Sequence, residues 1–214
     1  MVVRQQDKKE ELDNIAQQIN KCNQCRLYRQ ALRAVPGSGD PDAKIIFIGE
    51  GPGYHEDQQG LPFVGAAGKL LDRLLQMIDL ARDAVWIGNV VKHRPPENRE
   101  PLPEEIEACQ PFLNEQIKII DPEIIVTLGR FSLEKFLPGE KISRIHGQAR
   151  YVEFAGKKRI IIPMYHPAAA LRNGLIMEQI KKDFKKIPQF LSGREDTPQL
   201  EEINEPEEKQ MKLF

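Results

Sequence analysis

The sequence predicts an open α/β domain, and three observations carry that prediction. An apolar run of strand length, Ile45-Ile46-Phe47-Ile48, enters a long Gly/Pro-rich stretch. A helical pattern (Leu70, Leu71, Leu74, Leu75, Ile78) leaves that stretch. Further apolar runs at 84–91 (AVWIGNVV), 123–128 (EIIVTL) and 159–164 (RIIIPM) recur between helical or turn-rich segments. The chain has 214 residues, 40% of them apolar and 29% charged, which suits one soluble domain with a sizeable core.

Each element has a local reason. Residues 4–20 form an amphipathic helix with Leu12, Ile15, Ala16 and Ile19 on one face. A turn-rich connection, VPGSGDPDA, follows at 35–43, ahead of the first strand. The stretch from Gly49 to Leu71 reads GEGPGYHEDQQGLPFVGAAGKLL, with a helix expected from about 66 to 78. It has neither the Lys-Ser/Thr ending of a P-loop nor the glycine spacing of a dinucleotide fingerprint. Its glycines imply a backbone that turns sharply and approaches a ligand closely. Three acids (Glu50, Glu56, Asp57) and one aromatic, Phe63, beside free amides could receive a flat hydrogen-bonding ring such as a nucleobase; a structural Ω-loop is the plainer alternative.

Asn89 sits near the end of the second strand, where α/β sheets place ligand contacts. Residues 94–103 read as an extended Pro-rich loop. A helix starts at Pro103 with Glu104 and Glu105 in its first turn, as the helix dipole favours, and Pro111 is expected to kink it. The third strand, 123–128, precedes a short helix at 131–136 and a loop at 138–148 carrying Lys141, Arg144 and His146. Strands at 151–154 and 159–164 flank the turn Ala155-Gly156-Lys157-Lys158. A last helix, about 175–187, turns Ile176, Ile180, Phe184 and Ile187 inward and its lysines to solvent.

Residues 193–214 carry seven acids against three bases, which leaves the body at +3 within a whole-chain charge of −1. That permits DNA contact without demanding it. Acid and proline with little to bury read as a disordered tether, so the expected division is a domain over 1–191 and a tail over 192–214. No apolar run has the length of a membrane span, and a cytoplasmic, nucleoid-associated monomer is expected. Three cysteines, Cys22, Cys25 and Cys109, argue against a disulfide framework; the Cys22-x-x-Cys25 pair points two thiolates at one metal or cluster, a redox pair being the alternative.

The 49–71 stretch resembles the first signature of family 4 uracil-DNA glycosylases, the iron–sulfur type. The second signature, HPxxxLR, is matched by His166-Pro167-Ala168-Ala169-Ala170-Leu171-Arg172, and the similarity spans about 12–191. The resemblance implies a three-layer αβα sandwich around a mostly parallel four-stranded sheet. It also implies a monofunctional hydrolase that flips uracil out of DNA and cleaves its N-glycosidic bond, leaving an abasic site for base excision repair. Phe63 then stacks on uracil, and Asn89 reads the O4/N3 edge. His166 stabilises the departing anion at O2, and Glu56 walls the C5 side against thymine. Gly51 and Gly53 line the pocket. Glu50 is the residue expected to orient water or the local field, since Gly51 stands where the main glycosylase family has an Asp. Arg144, Pro167, Leu171 and Arg172 face DNA, with Lys141 a further phosphate contact and Leu171 the wedge.

Family 4 enzymes hold a [4Fe–4S] cluster on four cysteines. Cys22, Cys25 and Cys109 match, and His93 stands at the fourth position, so Cys3His ligation is expected; a zinc ion or a three-iron cluster are the alternatives. The final residues, Gln210-Met211-Lys212-Leu213-Phe214, resemble a sliding-clamp-docking peptide, with Gln210, Met211, Leu213 and Phe214 as anchors. Two other functions compete: a cluster-bearing DNA sensor without activity, and a glycosylase shifted to a base such as hypoxanthine.

Overall fold

A computed structural model describes residues 5–191 and 202–203. Helix α1 (Gln5–Asn20) leads through a 3-10 turn (Arg26–Arg29) to the short strand β1 (Ser38–Gly39) and to β2 (Ile45–Gly49). Helices α2 (Tyr54–Gln59) and α3 (Ala66–Gln76) follow, then β3 (Trp86–Asn89), α4 (Pro103–Ile120) and β4 (Ile124–Leu128). Helices α5 (Arg130–Phe136) and α6 (Ile142–Ile145) precede the hairpin of β5 (Arg150–Phe154) and β6 (Lys157–Met164). Helices α7 (Pro167–Ala170), α8 (Gly174–Phe184) and α9 (Ile187–Phe190) close the body, and β7 (Glu202–Ile203) is a two-residue strand beyond it.

The sheet order is β1-β3-β2-β4-β6-β5-β7. Strands β3, β2, β4 and β6 are mutually parallel, so the expected parallel four-strand core is present. The expected total of four strands is corrected: β1 and β5 add antiparallel neighbours at the two sides, and β7 pairs with β5. The hairpin has a local cause. Ala155 and Gly156 hold φ of 55° and 72°, the double left-handed turn that matches the twist of two antiparallel strands. Of the segment expected as a tether, only Glu202–Ile203 is described, as β7; the remaining tail, with its clamp-like peptide, lies outside the described residues.

Both faces of the parallel core are covered. Phe47, Ile87, Val126 and Ile162 point into one cluster with Leu71 and Phe184, whereas Ile48, Ile125 and Ile161 point into the other with Leu113, Ile117 and Leu133. Burial on both faces is why the strands read as continuous apolar runs without alternation. Strand order switches at β2, which lies between β3 and β4, and the carboxyl ends beside such a switch point are where open α/β sheets place ligands.

Several local expectations change. Strand β3 is shorter than 84–91, because Val90 and Val91 leave the ladder and donate instead to the Gly49 and Glu50 carbonyls. Helix α2 occupies what reads as loop, started by Gly53 and stopped by Gly60 at φ 71°. Helix α4 runs through Pro111 as one element. The last helix divides into α8 and α9, since Pro188 lacks the N–H that would continue the ladder.

Candidate active site

Two strand ends meet in register at the crevice: Gly49 of β2 is paired with Asn89 of β3. A Cβ on Gly49 would lie 2.5 Å from Asn89 Oδ1 and 2.7 Å from Phe63 Cζ. The missing side chain is what lets a ring and an amide converge over one strand end. Phe63 is buried with φ 52°, a strained conformation for a residue with a side chain, so its surroundings must hold it there. Three contacts do so. Arg82 bridges the Pro62 carbonyl and Asp72, at 2.6 Å each. Glu56 Oε1 accepts the N–H groups of Val64 and Gly65, both at 2.8 Å. Gly68 of α3 lets the Phe63 carbonyl approach to 1.8 Å from where its Cβ would be.

Asn89 is 1% exposed, and its Oδ1 is a buried acceptor with no hydrogen-bond partner. An unmet buried acceptor costs about 1–3 kcal/mol. Beside an aromatic ring it marks a place for a ligand N–H. The peptide behind it is held by Lys92, which is buried; its Nζ donates to the Asn89 carbonyl at 2.9 Å and to Gln116 Oε1 at 2.8 Å. Burial lowers the Lys92 ammonium to about 8.

His166 follows β6 and faces Phe63, with ring centroids 5.5 Å apart and planes at 27°. Its Nδ1 accepts the Ala168 N–H at 3.1 Å, capping α7. Burial lowers its pKa to about 4, with Glu56 pulling weakly the other way. The ring is therefore neutral at physiological pH. With Nδ1 accepting, the proton resides on Nε2, which is a donor. Gly129, at φ 92°, would bring a Cβ within 3.3 Å of the His166 Cβ, so the end of β4 also shapes the imidazole's seat.

Phe63, Asn89, Glu56 and His166 thus share one crevice. Gly53 starts α2, where a Cβ would meet Glu56 Oε2 at 2.9 Å, and Gly51 packs on Val91, with 2.7 Å from a built Cβ to Val91 Cγ2. Glu50 directly follows the end of β2 and is half-buried. Burial raises its pKa, Glu100 adds to the rise and Arg130 opposes it, so charged groups of the 96–100 turn and α5 lie near it. On the rim, Leu171 is 44% exposed and Ala170 is buried, which makes Leu171 the protruding apolar group of the HPAAALR turn. Arg144, Lys141 and Arg172 are exposed. Pro167 is buried as the first residue of α7, so its expected place on the DNA-facing surface is corrected: it shapes the turn from beneath.

Cys22 and Cys25, after α1, lie near Cys109 of α4. Cys25 and Cys109 share a thiol hydrogen bond, and Cys22 lies close enough to act electrostatically on both. Burial raises both thiols, Cys109 to about 11, while the Lys92 N–H donates to the Cys109 sulfur and lowers it. His93, 6% exposed, lines with Cys22 a cavity of about 830 Å³ under the 31–37 segment. Among the described residues, no three His, Cys, Asp or Glu side chains converge on a single-ion centre.

A family model described as "Uracil DNA glycosylase superfamily" matches residues 36–191. The chain belongs to that superfamily. Among curated relatives, the type-4 uracil-DNA glycosylase of Sulfurisphaera tokodaii is 47% identical over 82% of this chain and 83% of its own length. That of Archaeoglobus fulgidus is 45% identical over 88% and 97%. The type-4 enzyme of Thermotoga maritima is 41% identical over 82% and 94%. The resemblance drawn from the two signatures is borne out, as is the α/β class expected with it.

Sequence reasoning missed two side chains of this superfamily member. Lys92 drew no reading from the sequence, yet it is in the core. Asp57 reads as a loop acid, yet it is buried in α2 and accepts the Leu32 and Arg33 N–H groups at 2.9 and 3.3 Å. A lysine directly after an apolar strand was the available signal for the first; nothing in the sequence separates Asp57 from its neighbours Glu56 and Glu50.

Proposed function

We propose that this protein removes uracil from DNA by a hydrolytic, monofunctional mechanism in which Asn89, Phe63 and His166 act on a flipped-out base. Membership of the superfamily and identities of 39–47% to type-4 uracil-DNA glycosylases make the chain a uracil-DNA glycosylase, an enzyme of DNA repair. The observation that carries the residue assignment is the orphan Asn89 Oδ1 beside the Phe63 ring.

The chemistry follows from the groups present. Uracil stacks on Phe63, and its N3–H meets Asn89 Oδ1; cytosine offers an acceptor at that position and is refused. As the N1–C1′ bond breaks, the electron pair leaves with the base and charge builds on O2. The Nε2–H of neutral His166 donates to that oxygen, and the dry site strengthens the bond. The sugar, left with oxocarbenium character, is attacked at C1′ by water, giving an abasic site. Glu56 supports discrimination at C5 by holding the 64–65 backbone, and so Phe63, in place. Glu50, half-buried and raised in pKa, acts on the field at the rim. Arg144, Arg172 and Lys141 bind phosphates, and Leu171 fills the gap left by the base.

Cys22, Cys25 and Cys109 suit a polynuclear iron–sulfur cluster: three thiols lie near one another, one buried and two half-buried, and a backbone N–H already points at one sulfur. His93 is the fourth ligand in this reading, and the bound cluster pins the N-terminal segment to α4. Gln210, Met211, Leu213 and Phe214 dock a sliding clamp, a reading supported by the sequence of the tail, and action on the nucleoid would follow from it. Among the described residues, no helix is long and apolar enough to cross a membrane.

A labelled uracil-containing oligonucleotide with a thymine control tests the activity. Strand breaks at uracil alone, after alkali alone, are expected. Binding without excision would favour the DNA-sensor alternative, and release of hypoxanthine in preference to uracil would favour the shifted-base one.

A further inference from the structure

The excision chemistry leaves one deeply buried charge without a role. Lys92 is 1% exposed, a rare position for a lysine without dedicated partners. Its ammonium has three protons and three acceptors: the Asn89 carbonyl at 2.9 Å, Gln116 Oε1 at 2.8 Å and the Pro36 carbonyl at 3.4 Å. None of these is a carboxylate, so the side chain is not there to complete an ion pair. An apolar residue of the same length would fill the space. What the lysine adds is direction.

The sheet explains why direction is needed at this place. Val90 donates toward β2, to the Gly49 carbonyl, so the Asn89 carbonyl points away from β2. On that side lies β1, whose pairing with β3 is confined to Trp86 and Ile87. The last peptide of β3 therefore has no strand to hold its carbonyl, and the Lys92 ammonium takes that place. The Lys92 main chain is itself fixed: its carbonyl accepts the Val35 N–H at 2.7 Å, and its N–H meets the Cys109 sulfur. Gln116, which holds the ammonium, also donates to the Pro36 carbonyl at 2.8 Å.

We infer that Lys92 is a positioning residue for base recognition: its ammonium stands in for a missing strand neighbour, fixes the Asn89 peptide, and so aims the Asn89 side-chain amide from a frame shared with the cysteine site. Reading uracil against thymine or cytosine depends on that aim, whereas holding the DNA backbone does not. The inference rests on Asn89 being the partner of uracil.

The experiment measures equilibrium binding of the full-length, iron-loaded protein to two single-stranded oligonucleotides. One carries 2′-fluoro-2′-deoxyuridine, which resists cleavage, and the other thymidine at the same place. For Lys92→Met, the preference for the uracil strand falls at least about tenfold, the loss expected for a hydrogen bond from a charged group. Affinity for the thymidine strand stays within about twofold of the unsubstituted protein. Bound iron per chain is unchanged, because the contact with Cys109 is made by the backbone. Gln116→Leu, which frees one of the three protons, lowers the preference by a smaller factor and serves where Lys92→Met does not yield folded protein. Unchanged preference in soluble Lys92→Met, or in Gln116→Leu in its stead, overturns the inference. So does an equal loss of affinity for both strands. Asn89→Ala separates the two readings: if it keeps the preference, the role of Asn89 itself fails; if it loses the preference while Lys92→Met keeps it, only the positioning role fails.

Discussion

The base pocket and the cysteine site lie on either side of the short run from Asn89 to His93, and they are built in opposite ways. In the pocket, positions come from adjacent strand ends: Gly49 and Asn89 are register partners, and His166 follows directly on β6. Each part is set by backbone pairing, and one acceptor is left open for the ligand. In the cysteine site, Cys22 and Cys25 come from an irregular segment, His93 from a loop and Cys109 from α4. No sheet connects these pieces; packing and the Arg26 ion pairs to Glu104 and Glu105 join the 22–26 segment to α4. The difference teaches where preorganisation resides: register between strand ends fixes the first group of residues, whereas the cysteines are placed by side-chain packing and ion pairs between irregular and helical segments.

The largest expected effect attacks the pocket's chemistry. His166→Ala lowers single-turnover excision by about 10²–10³-fold while leaving DNA affinity within a few-fold, the loss typical of removing one donor to a developing anion. Next, Gly49→Ala introduces a Cβ 2.5 Å from Asn89 Oδ1 and should cost about 10²-fold in kcat/KM, with folding retained by circular dichroism. Cys109→Ser breaks the comparison from the other side. Iron content falls, and stability drops by about 2 kcal/mol or more in denaturant titration. If the pocket still excises uracil slowly in that variant at low temperature, the two sites are separable in the way their construction implies.

The pH dependence sharpens the pocket's half. The fold favours neutral His166, with a pKa near 4 against an ordinary 6.5. The unfolded chain therefore takes up the proton first. Stability from this group is complete above about pH 6.5, declines as pH falls towards about 4, and levels below that. His166→Gln should flatten that part of a stability–pH profile. The smallest effect belongs to the rim. Arg144→Ala and Arg172→Ala each reduce the slope of log affinity against log salt by about 0.7 on single strands, with kcat unchanged at saturation.

Legibility differed residue by residue. Phe63 and His166 were readable because their motifs place special residues beside them: glycines that admit a ring, and a Pro that starts a turn after an imidazole. Asn89 was readable from its position at an apolar strand's end. The edge strands were missed: β1 is two residues long and carries no apolar run. Helix α2 starts and stops at glycines, which read as loop in isolation.

The sequence alone determined the α/β alternation, the strand–loop–helix that carries the base pocket, and the residues at its centre, because these depend on local periodicity and on side-chain chemistry that is the same in any context. Tertiary structure decided the number of strands and the burial of Lys92 and Asp57. Those depend on which distant segment supplies a hydrogen-bond partner. A lysine beside a strand is a solvated charge until Gln116, Pro36 and the end of β3 surround it, and only folding brings those three together.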